Sequence, residues 1–445
     1  MSRKRRIGRQ RAWVISAALV DVAICCIAFS ADERRPADID VPITGRGNRA
    51  ARKLDDQMVA FVKKHDIPGA ALAIGFRGKI VYSRGFGYAD RGAKEPAAPD
   101  ALFRIASISK PITAVAILRL VDQGKLRLDD PVLKYLPAEW KPPAGWKRDP
   151  RWERITIRHL LQHRGGWDRT RSIDCMFYPV EIANVIGTRP PAGPEEIIRF
   201  MQGWPLDFDP GERYAYSNFG YCLLGRVIER VTGMPYDEHV RSTLLKPLGN
   251  RRMRIGHTLE SGRADGEVRY YADRPKTAVC VFAEQLGRPV APPYGAWHLE
   301  AMDAHGGWIA SAPDLVRFGC AVEAAPGNGL LSDASKRAML ARPPGRAGKD
   351  AEGRLRPTYY GFGWTIRPPK KDDRPLAWWH TGSLPGTSTL LVVRADGWSW
   401  AVLFNTRDTP GGKRPAPLID QALHRTIDSL RDTLKPAAQE APGAE

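Results

Sequence analysis

The stretch that most constrains the fold is residues 103–125, which reads FRIASISKPITAVAILRLVDQGK. Beyond Lys110, apolar residues occupy nearly every face of a helix, which predicts a central, buried helix that ends near Gly124. A buried ammonium group is costly unless it is paired or has lost its proton. The core must therefore be built around a helix that carries a lysine, and a lysine in such a helix indicates a catalytic role.

Ser107 stands three residues ahead of Lys110. If Ser107 begins the helix, the lysine lies one turn further on the same face, and its nitrogen can reach the serine hydroxyl. The positive potential of a helix amino end stabilises alkoxide character and disfavours a protonated lysine. The spacing predicts a serine nucleophile activated by a lysine base. The alternative is that Ser107 caps the helix and Lys110 is a surface residue.

Two further short patterns carry polar chemistry, YSN at 216–218 and HTG at 380–382. In an extended loop Tyr216 and Asn218 point to one side, where a phenol can relay a proton and a carboxamide can hold a substrate amide. HTG precedes a predicted strand, and Gly382 would let a substrate approach the backbone closely. As alternatives, Tyr216 and Asn218 are loop anchors and His380 is a structural imidazole.

Strand signals lie at both ends of the chain. Residues 69–90 give two β-rich runs separated by RGK, a hairpin signal. The segments YYGFGWTI, LAWWHTG and TSTLLVVRADGWSWAVLFNT predict further strands, with a turn at Asp396 and Gly397 and a terminal helix near 414–433. A mostly helical region, about 120–300, separates the two sets. The pattern predicts an α+β fold whose antiparallel sheet combines N- and C-terminal segments and is flanked by helices.

The first residues predict export. Residues 1–11 carry six basic and no acidic residues, and an apolar segment interrupted by Asp21 follows. This is typical of a signal peptide, and an uncleaved anchor is the alternative. The predicted organisation is a signal peptide at 1–30, a linker at 31–54, a hydrolase domain at 55–433 and a disordered tail at 434–445. The protein is expected to be periplasmic or secreted, without a stable membrane span after cleavage.

A formal net charge of +19 favours anionic partners. No zinc-finger spacing or RNA-binding signature points to nucleic acid, so anionic cell-envelope polymers are favoured over nucleic acid as partners. A solvated basic surface with no dedicated partner is the interpretation preferred to both. His159 and His163 are spaced i, i+4 and would share a helical face, but no glutamate lies between them and no third ligand is evident. Both are interpreted as structural, and neither a metal nor another cofactor is predicted.

The three patterns, in this order, resemble the serine β-lactamase and penicillin-binding protein superfamily, specifically its class C and DD-carboxypeptidase-like peptidase and esterase branch. The resemblance covers roughly residues 55–430. It is reinforced by IRHLLQHRGG and GGWIASAPDLVRF, which are similar to framework segments of this branch.

The resemblance implies a role for each site residue. Ser107 would be the acylated nucleophile, Lys110 and Tyr216 would share proton transfer, and Asn218 would orient the substrate. His380 and Thr381 would border the site, and the backbone N–H groups of Ser107 and Ser383 would form an oxyanion hole. Class C β-lactamases carry lysine where this chain has His380. A histidine is partly charged at neutral pH, so an imidazolium there could bind a substrate carboxylate.

The leading function is an exported serine hydrolase that forms an acyl-enzyme with D-alanyl peptides, esters or related amides. The loops at 138–154, 167–195 and 341–358 are expected to shape its pocket. The alternatives are a weak β-lactamase and a non-catalytic envelope-binding protein on the same scaffold.

Overall fold

The structure is a computed structural model that describes residues 41–46, 51–272, 277–325, 327, 329–350, 352–369 and 375–435. The predicted signal peptide lies outside the described residues, as do residues 31–40 of the predicted linker and 436–445 of the predicted tail. None of the helices in the described ranges is long and apolar enough to cross a membrane.

The strands are, in chain order, β1 (Ile43–Thr44), β2 (Gly69–Phe76), β3 (Lys79–Asp90), β4 (Glu95–Pro96), β5 (Phe103–Arg104), β6 (Arg254–Ile255), β7 (Ala278–Val279), β8 (Pro289–Val290), β9 (Trp308–Ala310), β10 (Tyr359–Tyr360), β11 (Thr365–Arg367), β12 (Ala377–Leu384), β13 (Thr387–Arg394) and β14 (Trp398–Phe404). Among the described residues, nine of them form one antiparallel sheet in the order β1-β3-β2-β14-β13-β12-β11-β10, with β4 paired to β3.

The two ends of the chain meet in this sheet, as predicted, because β2 pairs with β14 from Ala70 opposite Phe404 to Phe76 opposite Trp398. Both predicted tight turns are present. The turn between β2 and β3 uses left-handed backbone at Arg77 and Gly78, and Gly397 has a φ of 89° between β13 and β14. The predicted α+β fold is confirmed.

The helices are α1 (Arg52–Lys64), α2 (Ser109–Asp122), α3 (Ile157–Leu161), α4 (Pro179–Ile186), α5 (Pro194–Gln202), α6 (Asn218–Thr232), α7 (Tyr236–Val240), α8 (Asp303–Gly306), α9 (Ala312–Glu323), α10 (Asp333–Leu340) and α11 (Pro415–Leu434). The helices cover both faces of the sheet. Because the side chains of a strand alternate between the two faces, each strand can pack against helices on both sides. Leu72 and Ile74 of β2 pack in the layer formed with α1 and α11, whereas Ala71 and Ala73 face the larger helical layer that contains α2.

Helix α2 is buried along almost its whole length, as its composition predicts. The chain leaves it at Gly124, where φ is 69°. Its start differs from the prediction: a 3-10 turn, Ala106–Ile108, comes first, and the α-helix begins at Ser109. Ser107 therefore lies just ahead of the helix.

Parts of the segment predicted as a linker form regular structure, and residues 47–50 lie outside the described residues. Ile43–Thr44 pairs with β3, and α1 begins at Arg52. The physical reason is burial, because Val41 and Leu54 fill the apolar layer under α1 and α11. The region from 120 to 300 is mostly helical turns and loops, but it also holds the short strands β6, β7 and β8.

Candidate active site

The central sheet fixes the chain just ahead of Ser107. The hydroxyls of Thr387 and Thr389 on β13 donate to the main-chain oxygens of Arg104 and Ile105 at 2.8 and 3.0 Å. A Cβ on Gly382 would lie 2.0 Å from the Ile105 oxygen, so only glycine permits this approach. The sequence predicts that Gly382 lets a substrate approach, but the backbone that comes this close is the protein's own main chain at Ile105.

Ser107, the candidate nucleophile, follows a strained residue. Ala106 has a φ of 47°, in the left-handed region that costs a non-glycine residue about 1–2 kcal/mol. Its carbonyl accepts a hydrogen bond from Ser109 Oγ at 2.7 Å, which holds the turn in place. Such strain persists where the surroundings over-determine the geometry. Here it presents Ser107 at the amino end of α2.

Lys110 lies in the first turn of α2 and is fully buried. Its Nζ lies 3.2 Å from Ser107 Oγ, 2.8 Å from Asn218 Oδ1 and 2.8 Å from the main-chain oxygen of His305. Burial lowers the pKa of Lys110 well below its usual value of 10.5; the Asp174 carboxylate opposes this shift and Arg169 adds to it. Lys110, which the sequence predicts to be the base, is therefore shifted toward its neutral amine form.

The hydrogen bonds of Lys110 also suit a neutral amine, which has two N–H groups and one lone pair. The amide oxygen of Asn218 and the main-chain oxygen of His305 can only accept, so they take the two N–H groups. The lone pair then remains for the hydroxyl proton of Ser107. This arrangement can deprotonate the serine directly.

Asn218 is held by the protein at both polar atoms. It begins α6, with Ser217 as the N-cap, so it does not lie in the extended loop that the sequence analysis expected. Its Nδ2 donates to Asp174 Oδ2 at 2.7 Å, which turns Oδ1 toward Lys110. Asp174 in turn lies 3.4 Å from Arg169. Sequence reasoning missed Asp174, because no spacing connects residue 174 with residue 218.

Tyr216 lies beside both partners of the nucleophilic pair. Its ring centre is 4.8 Å from Lys110 Nζ, and it lines the same pocket as Ser107. Burial raises the pKa of Tyr216 far above its usual value of 10, an effect that the neighbouring Ser107 hydroxyl partly offsets. The phenol therefore keeps its proton at neutral pH and can pass a proton on, but it is not a phenolate base.

His163 supports Tyr216. The two ring centres lie 4.2 Å apart, and His163 Nδ1 accepts the backbone N–H of Ser217 at 3.2 Å. Burial lowers the pKa of His163 well below its usual value of 6.5. Helix α3 ends before His163, whose φ is 54°, so His163 and His159 do not share a helical face as the sequence analysis supposed. In the sequence, only the polar residues of IRHLLQHRGG point to a role for His163, and they do not identify Tyr216 as its neighbour.

His380 is buried and neutral. Its Nδ1 lies 2.7 Å from the main-chain oxygen of Thr381, and its Nε2 lies 3.0 Å from the hydroxyl of Tyr360. Because a carbonyl only accepts, Nδ1 carries the proton and Nε2 accepts from the tyrosine. Burial, with a smaller contribution from the Lys110 charge, lowers the pKa of His380 to about 3. The neutral ring is therefore favoured at neutral pH over the imidazolium that carboxylate binding would require.

Strand β12 has a free edge at the site. Its pairing with β11 covers only Ala377–Trp379, while its pairing with β13 runs on to Leu384. In the part of the chain that the structure describes, the main chain from His380 onward has no strand partner on the β11 side. An unpaired edge of this kind can accept an extended peptide-like group.

A pocket of about 430 Å³ opens at Ser107. Its lining residues are Ala106, Ser107, Arg169, Phe177, Tyr216, Asn218, Met302, His305, Gly306, His380, Thr381, Ser383, Leu384, Arg407 and Arg414. Most residues predicted from sequence therefore meet in one cavity, with Lys110 beneath it. Of the three loops expected to shape the pocket, 167–195 contributes to this lining, whereas 138–154 and 341–358 do not. Segments 302–306 and 407–414 take their place.

A family model described as Beta-lactamase matches residues 54–424, a span that includes the whole of this site. The chain belongs to the beta-lactamase family. This confirms the resemblance drawn from the three sequence patterns, and it makes the protein a serine hydrolase of that superfamily.

Known relatives span different members of the superfamily. The chain is 29% identical to penicillin-binding protein 4* of Bacillus subtilis (strain 168) over 75% of its own length and 67% of that protein's. It is 36% identical to esterase EstB of Burkholderia gladioli over 45% of its own length and only half of the esterase's. An octameric penicillin-binding protein homologue from Pyrococcus abyssi has a similar structure, with a TM-score of 0.65, 27% identity and coverage of 85% of this chain and 77% of that chain.

Proposed function

We propose that this protein is an exported serine hydrolase that forms an acyl-enzyme on Ser107 and passes the acyl group to water. One observation carries the proposal: Ser107 Oγ lies 3.2 Å from the Nζ of a fully buried lysine. A nucleophile within hydrogen-bond reach of a group with a depressed pKa is the arrangement that covalent catalysis requires. Export rests on the pattern of residues 1–30.

In the first step the lone pair of Lys110 takes the hydroxyl proton of Ser107 while the serine oxygen bonds to the carbonyl carbon of the substrate. Collapse of the tetrahedral intermediate breaks the bond to the leaving group, and the proton on Lys110 reaches that group through the hydroxyl of Tyr216. Water then attacks the acyl-enzyme, its proton returns along the same path, and Ser107 is released. The neutral phenol suits this relay because it can donate and accept in one motion.

The negative charge that forms on the oxygen of the tetrahedral intermediate must be stabilised by hydrogen-bond donors. The backbone N–H groups of Ser107 and Ser383 are proposed to supply them, since both residues line the pocket. The amino end of α2 adds positive potential beside Ser107. These contributions are fixed in the backbone before substrate arrives, so they require no reorganisation during the reaction.

The proposed substrates are esters and amides, including D-alanyl peptides. The esterase and penicillin-binding protein relatives support this range. The free edge of β12 favours an extended, peptide-like acyl group, which can pair with the main chain beyond His380. A β-lactam is a weaker candidate, because this chain has a neutral His380 where class C β-lactamases carry lysine.

Covalent labelling tests the proposal. The purified protein is treated with a fluorophosphonate and with a fluorescent penicillin, and the added mass is located by peptide mass spectrometry. Mass on Ser107 is expected, and none after Ser107→Ala; Ser242→Ala, at an exposed serine, is the matched control and should label normally. Comparing 4-nitrophenyl ester turnover with D-alanine release from a D-alanyl-D-alanine peptide then separates the substrate classes. A protein that neither labels nor turns over would instead be a binding protein on this scaffold.

A further inference from the structure

We infer that Thr113 is a positioning residue for the reaction: its hydroxyl fixes helix α8, so that the main-chain oxygen of His305 holds one N–H of Lys110. The inference deepens the proposed function and rests on it, because Lys110 is the base there. Thr113 lies on α2, three residues beyond Lys110 and on the same face of the helix. The sequence patterns assigned it no role.

Helix α8 is too short to fix its own position. It has four residues, Asp303–Gly306, and a single helical turn forms too few internal hydrogen bonds to be stable by itself. Two of its carbonyl groups bind to α2 instead. The main-chain oxygen of Ala304 lies 2.6 Å from Thr113 Oγ1, and that of His305 lies 2.8 Å from Lys110 Nζ. Successive carbonyls of α8 are thus held by side chains one turn apart on α2.

The fixed donors and acceptors set the direction of the hydrogen bonds around Thr113. The carbonyl of Ala304 only accepts, so it takes the single hydroxyl proton of Thr113. The Tyr236 hydroxyl, 2.6 Å from Thr113 Oγ1, then donates to the threonine, and it accepts from Trp308 Nε1 at 3.0 Å. The main-chain oxygen of Ser109, at 3.3 Å, is a more distant acceptor. This assignment gives every buried donor in the chain of bonds an acceptor.

Burial makes this chain of bonds the main control on the position of the α8 carbonyls. Thr113, Tyr236 and Ala304 are all buried, so solvent does not readily replace a lost bond. The start of α8 has a separate anchor, because Asp303 forms a buried ion pair with Arg226. Loss of the Thr113 bond should therefore move the carbonyls of α8 while its first residue stays held.

The position of those carbonyls matters because it directs the lone pair of the base. A neutral lysine has two N–H groups and one lone pair, so holding both N–H groups fixes where the lone pair points. Asn218 Oδ1 holds one N–H and the His305 oxygen holds the other, each at 2.8 Å. Asp174 keeps Asn218 in place by accepting from its Nδ2. Thr113 does the same for the carbonyl, and the lone pair is left for the nucleophile.

Thr113→Val tests the inference in the full-length protein, because it keeps the shape of the side chain and removes the donor. A carbon atom approaches a carbonyl oxygen to about 3.3–3.6 Å, whereas Oγ1 lies at 2.6 Å, so α8 must move away by about 0.7–1 Å. A displacement of about 1 Å at a catalytic group can cost about 100-fold in rate. We expect kcat/KM for 4-nitrophenyl hexanoate to fall about 10- to 100-fold at high pH, where it no longer changes with pH.

The pH profile supplies a readout that a purely structural hydroxyl would not move. A carbonyl oxygen that accepts from an ammonium group favours the charged lysine. Weakening that bond in Thr113→Val should therefore shift the pH range over which kcat/KM rises to lower pH. The substitution leaves the other titratable side chains around Lys110 in place, which are Asp174, Arg169, His163, His305, His380, Tyr216 and Tyr221.

Three further variants separate positioning from packing. Thr113→Ser keeps the hydroxyl and should restore turnover and the pH profile to those of the wild type. Tyr236→Phe removes a hydroxyl from the same buried chain of bonds but leaves the bond to Ala304, so it should lower the melting temperature and reduce kcat/KM far less than Thr113→Val. Thr232→Val is the matched control on α6, where the hydroxyl donates to the Ile228 oxygen at 2.8 Å, and it should leave kcat/KM unchanged. Complete labelling by a fluorophosphonate counts the active sites in each preparation.

The outcomes distinguish the inference from the function beneath it. Turnover and a pH profile like those of the wild type in Thr113→Val, with Ser107 labelled, would overturn the inference and leave the hydrolase intact. Equal losses in Thr113→Val and Tyr236→Phe would assign the effect to packing and overturn it as well. If the wild-type protein neither labels at Ser107 nor hydrolyses the ester, the proposed function fails, and this inference fails with it.

Thr113→Ala keeps the test decisive if the circular dichroism spectrum shows that Thr113→Val does not fold. It removes the same donor without a methyl group that must fit against the carbonyl. Lower turnover at high pH and a shift of the profile to lower pH are again expected, each smaller than in a folded Thr113→Val. The absence of both changes in Thr113→Ala would overturn the inference.

Discussion

Replacing Asp174 by asparagine should make the enzyme more active at low pH. The Asp174 carboxylate raises the pKa of Lys110, against the effect of burial. If Lys110 acts as the base, kcat/KM rises with pH as the lysine loses its proton. Removing the carboxylate charge makes that proton easier to lose, so the pH range over which kcat/KM rises should move to lower pH. Arg169, left without its partner, would act in the same direction.

The size of the effect follows from the geometry. The carboxylate and Nζ of Lys110 lie on either side of the Asn218 amide, at 2.7 and 2.8 Å from its two polar atoms. The two charges are therefore roughly 7 Å apart, given amide bond lengths. With an effective dielectric constant of about 20 this gives about 2 kcal/mol, or somewhat less because the carboxylate is partly exposed. On the acid limb, kcat/KM should rise about 5- to 30-fold.

The assay is kcat/KM for 4-nitrophenyl hexanoate between pH 4 and 10. Asparagine keeps an oxygen that can accept from Asn218 Nδ2, so the amide should stay oriented. Asp174→Ala removes that acceptor, and its turnover should fall across the whole pH range, which separates charge from orientation. An Asp174→Asn limb that superimposes on wild type, or that moves to higher pH, would refute the role of Lys110 as a base tuned by Asp174.

Other variants probe the remaining groups. Ser107→Ala should abolish turnover and leave the circular dichroism spectrum unchanged, because the hydroxyl is the attacking atom; turnover near wild type would exclude it as nucleophile. Lys110→Ala should slow acylation by about two to four orders of magnitude, and adding Tyr216→Phe should cost less than the product of the single losses, since both serve one proton path. Stopped-flow acylation rates of the double mutant decide this. With a pKa of about 3, His380 should stay uncharged between pH 5 and 8, so the ratio of kcat/KM for a carboxylate-bearing ester to that for a neutral ester should not change with pH in this range because of His380. A fall in that ratio from pH 6 to 7 would support the imidazolium role.

Features that depend on neighbouring residues were predictable from the sequence. Ser107 and Lys110 are three residues apart, so helical geometry alone places one near the other. The capping box of α9 is equally local: Ser311 and Asp314 bond to each other's backbone and side chain, as their spacing indicates. The turns at Gly78 and Gly397 require only left-handed backbone at residues that adopt it readily.

Features that depend on tertiary contacts were not predictable. The pKa of His380 depends mainly on burial, and its hydrogen-bond partner Tyr360 reaches it through the pairing of β10, β11 and β12. Asp174 reaches Asn218, and the carbonyl of His305 reaches Lys110, only because separate helices pack together. A main-chain oxygen carries no residue identity, so no motif search could have found the His305 contact. Arg407 and Arg414 resemble ordinary surface arginines until the pocket is seen.

Because β11 pairs with only three residues of β12, the length of β11 determines how much of the β12 edge is open at the site. The ladder stops at Thr365 opposite Trp379, and the chain turns away at Gly363, where φ is 81°. A Cβ on Gly363 would lie 2.7 Å from Ala114 and 3.1 Å from the carbonyl of Lys110, so the same glycine lets the β10–β11 hairpin sit against the catalytic helix. Two more paired residues on β11 would cover His380 and Thr381 and close the edge to an incoming acyl chain. Homologues could thus widen or narrow their range of substrates by changing where this hairpin turns, with every catalytic residue left in place.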